Sequence, residues 1–211
     1  MIKVLKIAGF IVTVAAILSA AVFFILFLKE RKNVNINKAQ FNQEFEALQK
    51  DNMKITSPAF AHNELIPSKY TCDDENINPP FQIADIPSAA KSLVLISDDP
   101  DAPMGTWVHW TVWNITPYTK EIQENTIPKL APWDPASPAT PIPAIEGVTS
   151  FGKFGYGGPC PPSGTHRYFF KLYALDSILD LPISAKAADI EKAMKGHILD
   201  KTELIGLYKR H

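Results

Sequence analysis

Two polar clusters stand out in the second half of this chain because of the chemistry their residue types allow. The first is Asp98-Asp99-Pro100-Asp101-Ala102-Pro103, followed closely by Trp107-Val108-His109-Trp110. The second runs Gly155-Tyr156-Gly157-Gly158-Pro159-Cys160-Pro161-Pro162-Ser163-Gly164-Thr165-His166-Arg167-Tyr168. Glycines free backbone N–H groups to point into a concavity, and prolines stiffen the loop that carries them. Imidazole N–H, a phenol and loop amides donate hydrogen bonds to anionic oxygens, and a carboxylate receives an ammonium or holds an imidazole in one tautomer. These groups predict a small pre-formed polar pocket.

Two other chemistries use the same residues. Ser163 or Cys160 beside His166, with Asp99 as orienter, would imitate a nucleophile, base and acid. Pro161, Pro162 and Gly164 surround those candidates, and no Gly-x-Ser-x-Gly elbow does, so a hydrolase is the weaker alternative. Asp99, Asp101, His109 and His166 are ligand types that suit zinc or manganese. No His-x-x-x-His or Cys-x-x-Cys spacing accompanies them, so neither a metal nor a cofactor is expected.

Strands must position these groups. Period-two geometry along residues 107–115 puts His109 on one face with Trp107, Thr111 and Trp113. Along the later strand His166, Tyr168, Phe170 and Leu172 share a face, and Arg167 points the other way, towards a structural salt bridge. His166 and Tyr168 can therefore line one cavity, and His109 joins them if its strand is a neighbour. Each residue also has a plainer reading. Asp99 and Asp101 flank a proline as turn caps do, a histidine between tryptophans fits a core, and Tyr168 fits strand packing.

The rest of the chain reads as β structure. Residues 54–60, 81–86, 92–97, 107–115, 167–175 and 202–208 are predicted strands, separated by prolines and polar clusters. No long helix alternates with them, which disfavours a parallel doubly wound sheet and favours an antiparallel two-sheet β fold with small peripheral helices. A helix is predicted over 187–199, with Ile190, Met194 and Ile198 on one face. Pro128, Pro132, Pro135, Pro138, Pro141 and Pro143 mark a surface loop.

Among 211 residues 46% are hydrophobic and 20% charged, with a net charge of −1. That is a globular composition with no global field for nucleic acid. Residues 7–28 carry no charge, and as a helix would reach about 33 Å, enough to cross a hydrocarbon core. Leu18-Ser19-Ala20 resembles a cleavage site, but the apolar run continues through residues 22–28, which favours an uncleaved anchor. Lys3 and Lys6 precede the run and Lys29, Arg31, Lys32 and Lys38 follow it, a weak lean towards a cytoplasmic domain. The short N-terminal tail instead suits a signal-anchor that exports the domain. The expected organisation is a transmembrane anchor over 1–28, a polar linker over 29–52 with Phe41, Phe45 and Leu48 at helical spacing, and a globular domain over 53–211.

The motifs Asp99-Pro100-Asp101-Ala102-Pro103, Trp107-Val108-His109-Trp110, and Gly158-Pro159-Cys160-Pro161-Pro162 through His166-Arg167-Tyr168 together resemble the phosphatidylethanolamine-binding protein family. Glu191-Lys192-Ala193-Met194-Lys195-Gly196-His197-Ile198-Leu199, with Glu203-Leu204-Ile205-Gly206 beyond, resembles its prokaryotic Raf-kinase-inhibitor-like branch. The resemblance covers residues 53–210. It implies a large and a smaller β-sheet with a C-terminal helix alongside. It also implies an anion pocket lined by Asp99, His109, His166 and Tyr168, rimmed by Gly158 and Pro162, for a phosphorylated small molecule or phospholipid head group. The two cysteines, Cys72 and Cys160, read by themselves either as separate thiols or as a bridge; the resemblance implies the bridge, which would persist outside the reducing cytosol. The expected protein is thus a membrane-tethered, non-enzymatic binding protein with an extracytoplasmic domain. A regulatory role through a protein partner is a further expectation, and a loop-based inhibitor is an alternative.

Overall fold

The computed structural model describes Lys29, residues 52–127 and residues 144–210. The span over 7–28, the Phe41, Phe45 and Leu48 stripe and the proline-rich stretch over 128–143 lie outside the described residues. Among those described, no helix is long and apolar enough to cross a membrane. The chain divides into two compact units, Met1–Lys50 and Asp51–His211, and the second holds every strand below.

In chain order the strands are β1 (Lys54–Thr56), β2 (Glu64–Leu65), β3 (Phe81–Ala84), β4 (Ser92–Asp99), β5 (Trp107–Ile115), β6 (Glu121–Ile122), β7 (Ile145–Glu146), β8 (His166–Leu175) and β9 (Ile198–Tyr208). They form a three-stranded sheet, β1-β3-β6, and a six-stranded sheet, β2-β9-β8-β4-β5-β7. All pairings are antiparallel except the short parallel contact of β2 with β9. The two-sheet, mainly β fold is the expected one.

Why residues 93–96 of β4 (Ser92–Asp99) form an unbroken apolar run follows from the strand's place. The strand is buried along its whole length, because the large sheet is covered on both faces. Leu93, Leu95, Phe170 and Leu172 face Phe81, Ile83 and Ile122 of the small sheet. Phe81 and Phe170 lie 4.9 Å apart between ring centroids and join the sheets. Each such buried ring stabilises the domain by about 1.5–3 kcal/mol. On the opposite face Val94, Ile96 and Trp113 pack with Ile190 and Met194 of the helix α1 (Ala187–Met194).

Several expected boundaries are corrected: the strand expected over 81–86 ends at Ala84, and that over 92–97 runs on to Asp99. The helix predicted to run to residue 199 stops at Met194, because Gly196 takes φ 88° and turns the chain, so Ile198 and Leu199 open β9 instead. Glycine alone adopts that left-handed conformation without strain. The first strand ends at Thr56 rather than residue 60, where Ser57 turns its hydroxyl to the Pro80 carbonyl at 2.7 Å.

Candidate functional site

β4 ends at Asp99, on the same face as Leu93 and Leu95. β8 runs antiparallel beside it with Phe169 opposite Asp98. That register sets Tyr168 across from Asp99 and His166 two residues further, all on one face.

His109 arrives by a route that period-two counting misses. Its strand, β5, is not a neighbour of β8, because β4 lies between them. The β4–β5 pairing steps from Ser97 opposite Trp110 to Asp98 opposite Val108, leaving His109 as the extra residue of a β-bulge. A bulge re-aims a side chain relative to the alternation of its strand. His109 consequently lies on the Tyr168 side, its ring 5.2 Å from the tyrosine ring. Trp113 remains in the core on the α1 side, with Thr111 next to it beside Gly147. The expected grouping of His109 with Thr111 and Trp113 is therefore wrong, while its grouping with Trp107 holds.

Hydrogen bonds define what each group offers. The Asp99 carboxylate accepts the Asp101 N–H at 2.8 Å through Oδ1 and faces His166 Nδ1 at 2.8 Å through Oδ2. Asp99 is thus both a turn cap and the orienter of an imidazole. His109 Nδ1 lies 2.6 Å from the Gly157 carbonyl. Carboxylate and carbonyl oxygens accept, so both Nδ1 atoms carry the proton and each ring has Nε2 left for other partners. Burial, opposed by the Gly157 carbonyl and the Asp99 charge, holds the His109 pKa below the ordinary histidine value. Burial and then the Asp99 charge push the Tyr168 phenol well above its usual range. Its hydroxyl is close enough to the Asp99 carboxylate and the Cys160 backbone to interact with both, yet makes no hydrogen bond of full geometry.

Asp99, His109, His166 and Tyr168 converge on one cavity of about 420 Å³, walled by Met104, Trp107, Phe151, Cys160 and Pro162 among others. The wall is mostly apolar around a polar floor, the usual build of a small-molecule site. Phe151 sets its ring 5.3 Å from His109 and 5.4 Å from Trp107. Nothing in its sequence context marks it as a wall residue, and sequence reasoning missed it. A larger cavity of about 560 Å³ runs past Tyr118, Lys120 and Glu121, but focuses no buried polar group.

Gly158 is not on the cavity rim. Its amide donates to Asn76 Oδ1 at 2.8 Å, and a Cβ there would sit 2.6 Å from that oxygen and from the Tyr70 carbonyl. It serves as a point of close approach between the pocket loop and the loop after Tyr70. Cys72 and Cys160 form a disulfide between the same two loops, with Cys72 N–H donating to the Pro159 carbonyl at 3.1 Å and the Tyr156 hydroxyl to the Tyr70 carbonyl at 2.8 Å. Bonded in this way, Cys160 holds no thiolate for nucleophilic attack. Ser163 is exposed and does not line the cavity. Asp101 turns away to Arg167, and among the described residues no group of three or more His, Cys, Asp or Glu side chains is placed to hold a metal.

A two-sheet β domain with a pre-formed, polar-floored cavity is the build of a binding protein. Residues 56–209 match the family described as phosphatidylethanolamine-binding protein, and the chain belongs to that family. A UPF0098 protein of Methanothermobacter thermautotrophicus is 48% identical over 158 residues, covering 75% of this chain and 99% of that protein. One from Pyrococcus horikoshii is 50% identical over 164 residues, covering 77% and 79%. Among solved structures, a Chlamydia trachomatis protein described as a phosphatidylethanolamine-binding protein homologue is 37% identical. It has a TM-score of 0.67 and covers 77% of this chain and 100% of that one. YbcL of E. coli, described as a member of the mammalian family, is 25% identical with a TM-score of 0.66, covering 76% and 99%.

Proposed function

We propose that the chain is a membrane-tethered, non-enzymatic binding protein whose 420 Å³ cavity takes a phosphate-type anion or phospholipid head group. The observation that carries this reading is the Tyr168 hydroxyl, buried and without a full hydrogen bond beside two imidazoles whose Nδ1 atoms are already engaged. A hydroxyl that meets the Asp99 carboxylate and the Cys160 backbone only in poor geometry gains from a ligand oxygen that completes its hydrogen bond. Tyr168 donates one hydrogen bond to a phosphate oxygen, and each Nε2 donates another once its ring is protonated. Asp99 repels the anion and receives an ammonium where the ligand carries one. Binding therefore strengthens at mildly acidic pH.

The cavity supports a binding role rather than turnover, since its one lining cysteine is bridged and Ser163 stands outside it. Residues 7–28 supply the anchor, and the Cys72–Cys160 bridge favours an extracytoplasmic domain. By occupying or presenting its ligand the domain acts as a regulator of a protein partner, as a kinase-inhibitor-like protein would. An NMR titration of the full chain with phosphorylethanolamine and with inorganic phosphate tests the reading. Saturable shifts at His109, His166 and Tyr168 are the expected result, and a folded protein without them would overturn it.

A further inference from the structure

Outside the cavity, the exposed Arg167 donates three hydrogen bonds to one carboxylate, two from its side chain and one from its backbone. Its Nε donates to Asp101 Oδ2 at 2.9 Å, its Nη2 to Asp101 Oδ1 at 2.7 Å, and its backbone N–H to Asp101 Oδ2 at 2.9 Å. Guanidinium and carboxylate meet fork to fork, the geometry that fixes orientation as well as distance. The guanidinium also stands 5.7 Å from the Phe169 ring centroid, which limits where the fork can go.

The bonds close a ring. Arg167 holds Asp101, the Asp101 N–H holds Asp99 Oδ1, Asp99 Oδ2 holds His166 Nδ1, and His166 precedes Arg167 in the chain. The two adjacent residues point to opposite faces of β8 and both return to one turn, Asp99-Pro100-Asp101. Proline fixes the middle φ of that turn, so moving Asp101 moves Asp99.

We propose that Arg167 is a positioning residue: by gripping Asp101 it aims the Asp99 carboxylate at His166 and holds that imidazole as the Nδ1–H tautomer, leaving Nε2 for a ligand. The ligand half of this inference rests on the anion-binding reading above, whereas the tautomer half stands without it. The Arg167 fork keeps the Asp101 carboxyl low, at about 2, so the clasp persists through mildly acidic pH.

The test is ¹⁵N NMR of the histidine side chains in the full chain at neutral pH, beside the affinity for phosphorylethanolamine. Wild type is expected to show His166 protonated on Nδ1. Arg167→Gln and Asp101→Asn are each expected to raise the Nε2–H population of the neutral ring by roughly threefold, the scale of a partly exposed pair. Arg167→Lys, which keeps the charge but not the fork, should fall between. Arg210→Gln is the control, because its pair with Asp73 is comparably exposed, 53% and 24% against 54% and 28%, and does not touch Asp99.

An unchanged His166 tautomer in both Arg167→Gln and Asp101→Asn would overturn the inference. An equal shift in Arg210→Gln would overturn it too, by tracing the effect to general loosening. A shifted tautomer in a protein that binds no phosphate compound would sustain the positioning role and overturn the anion-binding reading instead.

Discussion

His109 and Tyr168 meet ring edge to ring face, 5.2 Å apart and 86° between planes, although their strands are separated by β4. The contact exists because the bulge in β5 turns His109 towards the inter-sheet side, across the end of β4 where Asp99 sits. One irregular residue thus completes a cavity floor drawn from three strands.

His109→Ala removes one Nε2 from that floor and leaves the Gly157 carbonyl without its donor. Phosphorylethanolamine affinity is expected to fall about tenfold and stability by about 1–3 kcal/mol. Calorimetric titration and urea unfolding read the two effects separately.

Acid should move stability and affinity in opposite directions. The unfolded chain binds a proton at His109 near 6.5, whereas burial lowers that value in the fold. The neutral ring's contribution is complete above about pH 6.5 and is lost as pH falls through the lowered value. A bound phosphate reverses the preference by favouring the protonated ring, so its affinity rises over the same window. Urea melts and titrations at about pH 7.5 and about pH 5 should show the ligand-free protein weaker and the ligand tighter at the lower pH. His109→Gln should flatten part of both trends.

Reducing the bridge should cost stability without dissolving the site. Cys72 and Cys160 are 88 residues apart, and chain entropy over such a loop is worth about 4–5 kcal/mol. Three hydrogen bonds still tie the same loops together. Urea unfolding with and without a dithiol should show the loss, and near-native spectra before the transition should show the surviving fold.

Gly158→Ala brings a Cβ against the Tyr70 carbonyl and Asn76 Oδ1 at 2.6 Å. Backbone cannot yield as a flexible side chain does, so destabilisation of about 1–3 kcal/mol is expected. Thermal or urea unfolding checks it.

Much of this was legible in the sequence because it rests on local patterns. Residues 107–115 are rich in aromatic and β-branched types and bounded by turns, and they form β5 with those limits. Asp99, His109, Pro162, His166 and Tyr168 do reach one cavity. What the pattern misplaced depends on partners distant in the chain. The bulge at His109 is a property of register with β4, which alternation along one strand does not contain. Gly158 reads as a rim glycine, yet its role comes from Asn76, which lies far back in the chain. Ile198 keeps helical spacing with Ile190 and Met194, but Gly196 turns the chain before the period is completed.

Tyr168→Phe tests the central claim most directly, because it removes one oxygen and keeps the ring. The hydroxyl lacks a full hydrogen bond in the ligand-free protein, so its loss should leave stability unchanged or slightly raised. Affinity for phosphorylethanolamine, measured by calorimetric titration, should fall about tenfold as one donor to the phosphate disappears. A stable variant that binds as tightly as wild type would contradict an anion seated on this floor.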